Sequence, residues 1–360
     1  MSSSRRDFLT TAAGGALAGL LPPAVADATT RHDEGAASAA SPQPRQAVKP
    51  RRLRPGDTVG LVDPASATWE PVDIEIVEES LAALGLKTKR GQHLLARRGS
   101  FAGEDDARAR DLNAMFADPE VSAVHPVRGG WGSARLLRRL DFEMVARHPK
   151  ILLGYSDITA LLLPVHARTG LVTFHGINGA SEWNPFNVGW FRRVLMDGEA
   201  VTFENLRDKG EHLAQVEHRV QTITPGRARG RLLGGNLTVL TTIIGSGLLP
   251  DWDDCILFVE DVNEAPYRVD RMFTQLALSG ILGKARAVIW GTCSECEPGD
   301  GYGSLTITDV LDDHVKPLGV PAWQGAMIGH VDRQFLLPVG LEVEADASAG
   351  TIRMLEPAVL

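Results

Sequence analysis

The sequence predicts an α/β fold, with an N-terminal domain on a parallel sheet and a β-rich α+β C-terminal domain. Three observations carry this. Short apolar runs alternate with helical stretches from residue 58 to about 174, the pattern of a parallel sheet covered on both faces. Two of those runs end in turns holding Gly129-Gly130 and Ser156, and such strand ends are where parallel sheets bind ligands. After residue 185 the alternation breaks into a polar, Asn- and Gly-containing stretch before strands resume. The length of 360 residues, with 44% hydrophobic and 23% charged, suits two domains. A net charge of −8 excludes a broad basic footprint for nucleic acid.

Residues 1–26 read as a twin-arginine signal peptide. Ser4-Arg5-Arg6-Asp7-Phe8-Leu9 precedes a Gly/Ala-rich apolar stretch at 10–21, and Ala24-Val25-Ala26 fits a small-residue cleavage site. A periplasmic location is the expectation, and the mature chain holds no apolar run long enough to span a bilayer. Residues 27–50, rich in Ala, Ser, Pro and charge, read as a disordered linker. The N-terminal domain, 51–185, opens with a strand at 58–62 stopped by Asp63-Pro64. A helix at 72–84 follows, with Ile76, Val77, Leu81 and Leu84 on one face and Gly85 as its stop. Next come a strand at 86–90, an acid-headed helix at 105–117 and a strand at 121–127. The turn Arg128-Gly129-Gly130-Trp131-Gly132-Ser133 leads into a helix through Leu137, and a short helix at 141–147 follows. A strand at 151–153, a helix at 158–168 and a strand at 172–174 complete a Rossmann/flavodoxin-like domain. Residues 186–215 form an interdomain connection, and Trp183 just before it and Trp190 within it either cover a site or pack the junction. The C-terminal domain, 216–360, holds strands at 227–232, 256–260 and 287–290, helices at 237–244 and 268–279, and a hairpin at 341–355.

Ser156 sits between a buried strand and a helix, on a turn that pushes its hydroxyl out at the strand's carboxyl end. This is the mechanical logic of a nucleophile elbow. The G-x-S-x-G pattern is half met, by Gly154 but not by Ile158, and an N-cap serine is the competing reading. A serine nucleophile needs a base and an acceptor to orient it. Glu260 ends an apolar strand, with Glu264 and Asp270 as nearby alternatives. Among ten histidines, His330 follows a glycine in a loop, while His125 and His175 lie at strands, and spacing does not choose between them. Cys293 and Cys296 lack a second ligand pair for a metal site, so a local disulfide and two loop thiols are both open. Cys255 lies in an apolar strand.

The chain resembles the LD-carboxypeptidase family of serine peptidases, the muramoyltetrapeptide carboxypeptidases, to which the microcin C self-immunity peptidases are related. The resemblance rests on segments in family order over about residues 52–340. They begin with Pro55-Gly56-Asp57-Thr58-Val59-Gly60, Phe101-Ala102-Gly103-Glu104 and the Arg128–Leu137 glycine turn. Gly154-Tyr155-Ser156-Asp157-Ile158-Thr159-Ala160, Phe174-His175-Gly176 and Gly234-Gly235-Asn236-Leu237 continue the series. Glu260-Asp261-Val262-Asn263-Glu264, Pro266-Tyr267-Arg268-Val269-Asp270-Arg271 and Gly329-His330 complete it.

The resemblance implies a Ser-His-Glu triad across the domain junction: Ser156 as nucleophile, His330 as general base, Glu260 as its orienting partner. Backbone N–H groups of Asp157 and Gly130 are the expected oxyanion donors. No metal or organic cofactor is required. The implied substrate is a murein tetrapeptide, cut at its terminal L-D bond to release D-alanine, and the implied assembly is a homodimer. A free carboxylate on the leaving residue invites a cationic clamp, with Arg128 and Arg268 as candidates, each equally suited to a structural ion pair. The chain departs from the family at Ile177, where proline is common. The nearby tryptophans keep a peptidyl-nucleotide substrate in play, and a non-catalytic murein-peptide binding protein is the reading from another class.

Overall fold

The computed structural model describes residues 47–299 and 303–360, so the expected twin-arginine signal peptide and residues 27–46 of the expected linker lie outside the described residues. The first half runs β1 (Thr58–Val62), α1 (Pro71–Ala83), β2 (Lys87–Arg90), α2 (Asp105–Ala117), β3 (Val121–Pro126), α3 (Phe142–Arg147), β4 (Ile151–Gly154), α4 (Thr159–Thr169) and β5 (Thr173–His175). The middle holds α5 (Pro185–Trp190) and β6 (Thr202–Glu204). The remainder runs β7 (Gln221–Thr224), β8 (Arg227–Asn236), α6 (Leu237–Thr242), β9 (Cys255–Val262), α7 (Pro266–Leu278), β10 (Ala285–Ser294), α8 (Ile307–His314), β11 (Ala322–Gln324), β12 (Leu337–Val339), β13 (Glu342–Asp346) and β14 (Thr351–Met354).

The fold is mixed α/β with two sheets. The first has the order β12-β5-β4-β3-β1-β2. β1 to β5 are mutually parallel, as the helix-strand alternation predicts, and β4 is buried along its whole length, as expected for a strand covered on both faces. In α1 the buried positions are Ile74, Val77 and Leu81, whereas Ile76 is exposed. The helix starts at Pro71, and the i, i+3, i+7 spacing from Ile74 sets the buried stripe. The glycine turn after β3 continues into a 3-10 helix, Ser133–Arg139, longer and tighter than expected.

The second sheet has the order β6-β14-β13-β8-β9-β10-β11-β7. Its centre, β8 to β11, is parallel, and α6, α7 and α8 lie between successive strands of it. Antiparallel strands flank it, including the expected hairpin, which forms as β13 and β14.

The strands do not divide at the sequence-based borders. β12 comes from the C-terminal stretch but pairs antiparallel with β5, Leu337 opposite His175. β6, inside the expected connection, pairs with β14. Val48, at the end of the expected linker, bridges Leu171, and Leu53 is buried. Short edge strands such as these carry little local signal, because their partners are remote in sequence.

Candidate active site

β4 delivers the serine. After Gly154 the chain passes extended Tyr155 and enters a 3-10 turn, Ser156–Ile158, that leads into α4. Ser156 has φ +61°, a left-handed conformation that costs a non-glycine residue about 1–3 kcal/mol and is favoured at functional turns. Gly154 is required by space: a Cβ there would lie 2.8 Å from Asn178 Oδ1 and 2.9 Å from Ile158 Cγ2. Asn178 Oδ1 also accepts the Tyr155 N–H at 3.1 Å, which fixes the turn from the β5 side. The hydroxyl of Ser156 caps neither helical segment, so the N-cap reading does not hold.

Across the cleft stands the glycine turn. Its Ser133 N–H donates to the buried Asp157 carboxylate at 2.7 Å, so the two turns carrying the Gly130 and Asp157 backbone groups are tied together. Buried Arg108 holds the same turn by donating to the carbonyls of Gly132 and Pro64. Gly129 packs so close that a Cβ would come 3.0 Å from Ser156 Cβ. Asp157 is the second residue of the 3-10 turn, in the first turn of the helical segment, where backbone N–H groups lack intrahelical partners.

The second sheet supplies the other two groups. Glu260 lies in β9, is fully buried, and pairs with Asn236 of β8. His330 follows Gly329, whose φ of +107° and close approach to Glu260 admit no side chain: a Cβ would sit 2.5 Å from Oε2. The Ser294 hydroxyl donates to the His330 carbonyl at 2.7 Å and anchors that loop to β10. The imidazole then joins both neighbours. Its Nε2 accepts the Ser156 hydroxyl at 3.1 Å, and its Nδ1–H donates to Glu260 Oε2 at 2.9 Å.

The electrostatics suit this order. Burial opposes charge on Glu260, but the imidazoles of His175 and His330 outweigh it and hold the carboxyl down at about 2. Burial likewise opposes charge on His330, and the Glu260 carboxylate overcomes it, so its pKa lies above the ordinary 6.5. An imidazole so placed accepts a proton readily once neutral.

The alternatives are engaged elsewhere. His125 is buried against the Ile177 carbonyl at 3.0 Å, and burial lowers its pKa to about 4. Asp270 pairs with His314 at 2.8 Å, and Glu264 with Arg268 at 3.4 Å. Asp261 accepts from Asn236 and Thr238. His175 does approach the site, with Nε2 3.8 Å from Glu260 Oε1.

Ser156 and His330 open into a cleft of about 370 Å³, lined also by Ser66, Trp69, Arg128, Gly130, Trp131 and Asn178. Arg128 is thus in the cleft, 3.9 Å from Asp73, whereas Arg268 is exposed and paired with Glu264 and Tyr267. Trp190 is buried against Phe203 and Phe335, and Trp183 packs on Phe191 and donates to the Gly179 carbonyl. Both pack the interior, and the tryptophans that line the cleft are Trp69 and Trp131 instead, each about half exposed, with Tyr155 as a further aromatic wall. Trp131 lies inside the glycine turn, but nothing in the sequence marks it, Trp69, Ser66 or Asn178 as lining the cleft. Cys293 and Cys296 are disulfide-bonded, and Cys255 is a buried free thiol. Among the described residues no group of three or more His, Cys, Asp or Glu is placed to hold a metal ion, and no helix is long and apolar enough to cross a membrane.

Two family models match the chain: the LD-carboxypeptidase N-terminal domain over residues 59–176 and the LD-carboxypeptidase C-terminal domain over 229–345. A probable murein peptide carboxypeptidase of Bacillus subtilis (strain 168) is 36% identical, covering 84% of this chain and 93% of the relative. The microcin C7 self-immunity protein MccF of Escherichia coli is 26% identical, covering 84% and 94%. A crystal structure of muramoyltetrapeptide carboxypeptidase from Oxalobacter formigenes superposes with a TM-score of 0.71 at 28% identity, covering 82% of this chain and 97% of that one. With both domain models in place and relatives matched over most of its length, the chain belongs to the LD-carboxypeptidase family of serine peptidases.

Proposed function

We propose that this protein is a serine LD-carboxypeptidase that removes the terminal D-alanine from murein tetrapeptides through a Ser156-His330-Glu260 triad. The observation that carries the reading is the continuous hydrogen-bond line from the Ser156 hydroxyl through His330 to a fully buried Glu260, at the mouth of a cleft. Ser156 Oγ attacks the carbonyl carbon of the terminal peptide bond while His330 Nε2 takes its proton. Glu260 stabilises the imidazolium that results. The Asp157 and Gly130 N–H groups receive the oxyanion, a contribution of about 3 kcal/mol for each such donor. The C–N bond then breaks as His330 returns the proton to the leaving amine. Water, activated by the same imidazole, hydrolyses the acyl-enzyme. Arg128 is the cleft cation suited to the leaving carboxylate. Export by the twin-arginine route and homodimerisation complete the proposal. Fractionation of cells bearing an Arg5→Lys, Arg6→Lys double variant, and sedimentation of the purified protein, test them.

A second reading, cleavage of a peptidyl-nucleotide as the MccF relative suggests, draws on the half-exposed Trp69 and Trp131, whose rings offer stacking surface for a base. Mass spectrometry of the enzyme with a defined murein tetrapeptide, beside Ser156→Ala, decides. Release of D-alanine by the wild type alone, with the variant down about 10⁴-fold or more, supports the carboxypeptidase reading. Binding without release in either protein favours a murein-peptide binding protein. An enzyme that ignores the tetrapeptide but cleaves a peptidyl-nucleotide has the second substrate.

A further inference from the structure

Two buried polar groups near the triad face one another and are otherwise unsatisfied. Glu260 Oε1 has no hydrogen-bond partner, and neither ring nitrogen of His175 has one, although both residues are fully buried. Their separation, Nε2 to Oε1, is 3.8 Å. That gap is slightly long for a direct hydrogen bond. A buried carboxylate oxygen left unpaired is costly, and the same holds for an imidazole N–H. The two shortfalls are relieved together by a shift of less than an ångström.

The location of His175 is equally specific. It ends β5, opposite Gly154 of β4 and Leu337 of β12, and so belongs to the sheet that carries the serine. Glu260 belongs to the other sheet. The His175 ring meets Tyr155, 6.2 Å away, and Phe258, 5.2 Å away, in edge-to-face contacts. Tyr155 immediately precedes the serine and lies 4.9 Å from the His330 ring, so one aromatic contact touches both imidazoles.

We infer that His175 is a positioning residue for the catalytic carboxylate: as the neutral Nε2–H tautomer it donates to Glu260 Oε1, leaving Oε2 aimed at His330. The neutral form follows from Nδ1, which has no acceptor for a second proton. Such a donor draws charge from the oxygen that faces His330, and so limits how strongly the carboxylate holds the imidazolium. It also ties the serine-bearing sheet to the sheet that carries Glu260, beside the triad. The titratable groups facing this cluster are Tyr155 from the serine turn, Glu260 and Asp261 from β9, and His330 from its loop.

The inference rests on the proposed triad, so its test has one arm that needs no turnover. Nitrogen-15 NMR of histidine-labelled wild-type protein reports tautomers directly. His175 is expected as a neutral Nε2–H ring, assigned by loss of its signal in His175→Gln. A His175 found as the Nδ1–H tautomer overturns the inference whatever the substrate proves to be. The second arm is kinetic, with a murein tetrapeptide. His175→Gln keeps a donor toward Oε1 and is expected to retain kcat within a few-fold. His175→Phe loses the donor and is expected to lower kcat about tenfold or more with KM little changed. It is also expected to move the acid limb of the pH profile upward, because the unshared carboxylate holds the His330 proton more tightly. Equal losses in the two variants, or a folded Phe variant with an unmoved acid limb, overturn the inference. Absence of turnover in the wild type instead counts against the proposed function and leaves the NMR arm to decide.

Discussion

Ser156 holds a left-handed backbone that a glycine would adopt without strain, and this separates its structural cost from its chemistry. Ser156→Ala and Ser156→Gly are both expected to abolish turnover, but the glycine variant should be the more stable of the two by about 1 kcal/mol. Thermal denaturation of the pair checks this, and equal melting temperatures would mean the turn is unstrained. The flanking imidazole sets the pH behaviour. His330 must be neutral to take the serine proton, and its pKa is raised above 6.5 by Glu260. Activity should therefore fall on acidification through that raised value, while Glu260, at about 2, stays charged throughout. A kcat/KM profile with its acid limb below 6.5 would contradict the arrangement. The stability signs are opposite for the two partners. Glu260 contributes stability that is present above its unfolded value of 4.5 and lost as pH falls toward 2. His330 contributes stability that is full below 6.5 and lost as pH rises through its raised pKa. At this scale Ser156, Glu260 and His330 stand out in the sequence as candidates, each at a strand end or beside a glycine. Spacing does not choose His330 over His125 and His175, and the union of the three in one triad is implied by the family resemblance alone. The partnership of His175 with Glu260 was not legible, since nothing local tells a buried strand histidine that faces a carboxylate from one, like His125, that faces a carbonyl.

The strand-turn-helix made by β4, the 3-10 turn and α4 works as a unit whose tightness comes from Gly154. Gly154→Ala would thrust a methyl group against Asn178 Oδ1 and Ile158 Cγ2, at 2.8 and 2.9 Å, and the turn must open to admit it. The expected result is a loss of about 1–3 kcal/mol in stability, with kcat falling because Ser156 moves off His330. Chemical denaturation and steady-state kinetics on one preparation check both, and an unchanged kcat would show that the turn tolerates the shift. Gly154 was singled out in the sequence as half of an elbow pattern. Its structural reason, the amide of Asn178 behind it, came from a residue 24 positions on and could not be read locally. Most strands and helices were legible because period-2 and period-3.6 apolar patterns are local signals. The membership of β12 in the first sheet and of β6 in the second was not, because three-residue edge strands are defined by their partners.

That exchange of strands has a consequence for the whole molecule. The serine-bearing sheet is completed by β12, from near the end of the chain, and the second sheet by β6, from the middle. The sheets also touch through the centre: the Asn236 N–H, at the end of β8, donates to Thr159 Oγ1 at the start of α4, 3.0 Å away. Gly235 beside it has φ +145° and leaves no room for a Cβ against the Thr159 side chain. Neither sheet can therefore unfold without stripping an edge or a buried hydrogen bond from the other. Two domains joined by a linker would melt independently, whereas this arrangement couples them. Scanning calorimetry on the intact protein is expected to show one transition, with calorimetric and van't Hoff enthalpies in agreement. Leu337→Asp, which places a charge at a fully buried site in β12, should move that whole transition down rather than split it. Two resolved transitions in the wild type, or a variant in which half the heat absorption stays in place, would show that the sheets fold separately. Cooperative melting is what a triad divided between two sheets requires, since Ser156 and His330 stay 3.1 Å apart only while both sheets hold their mutual register.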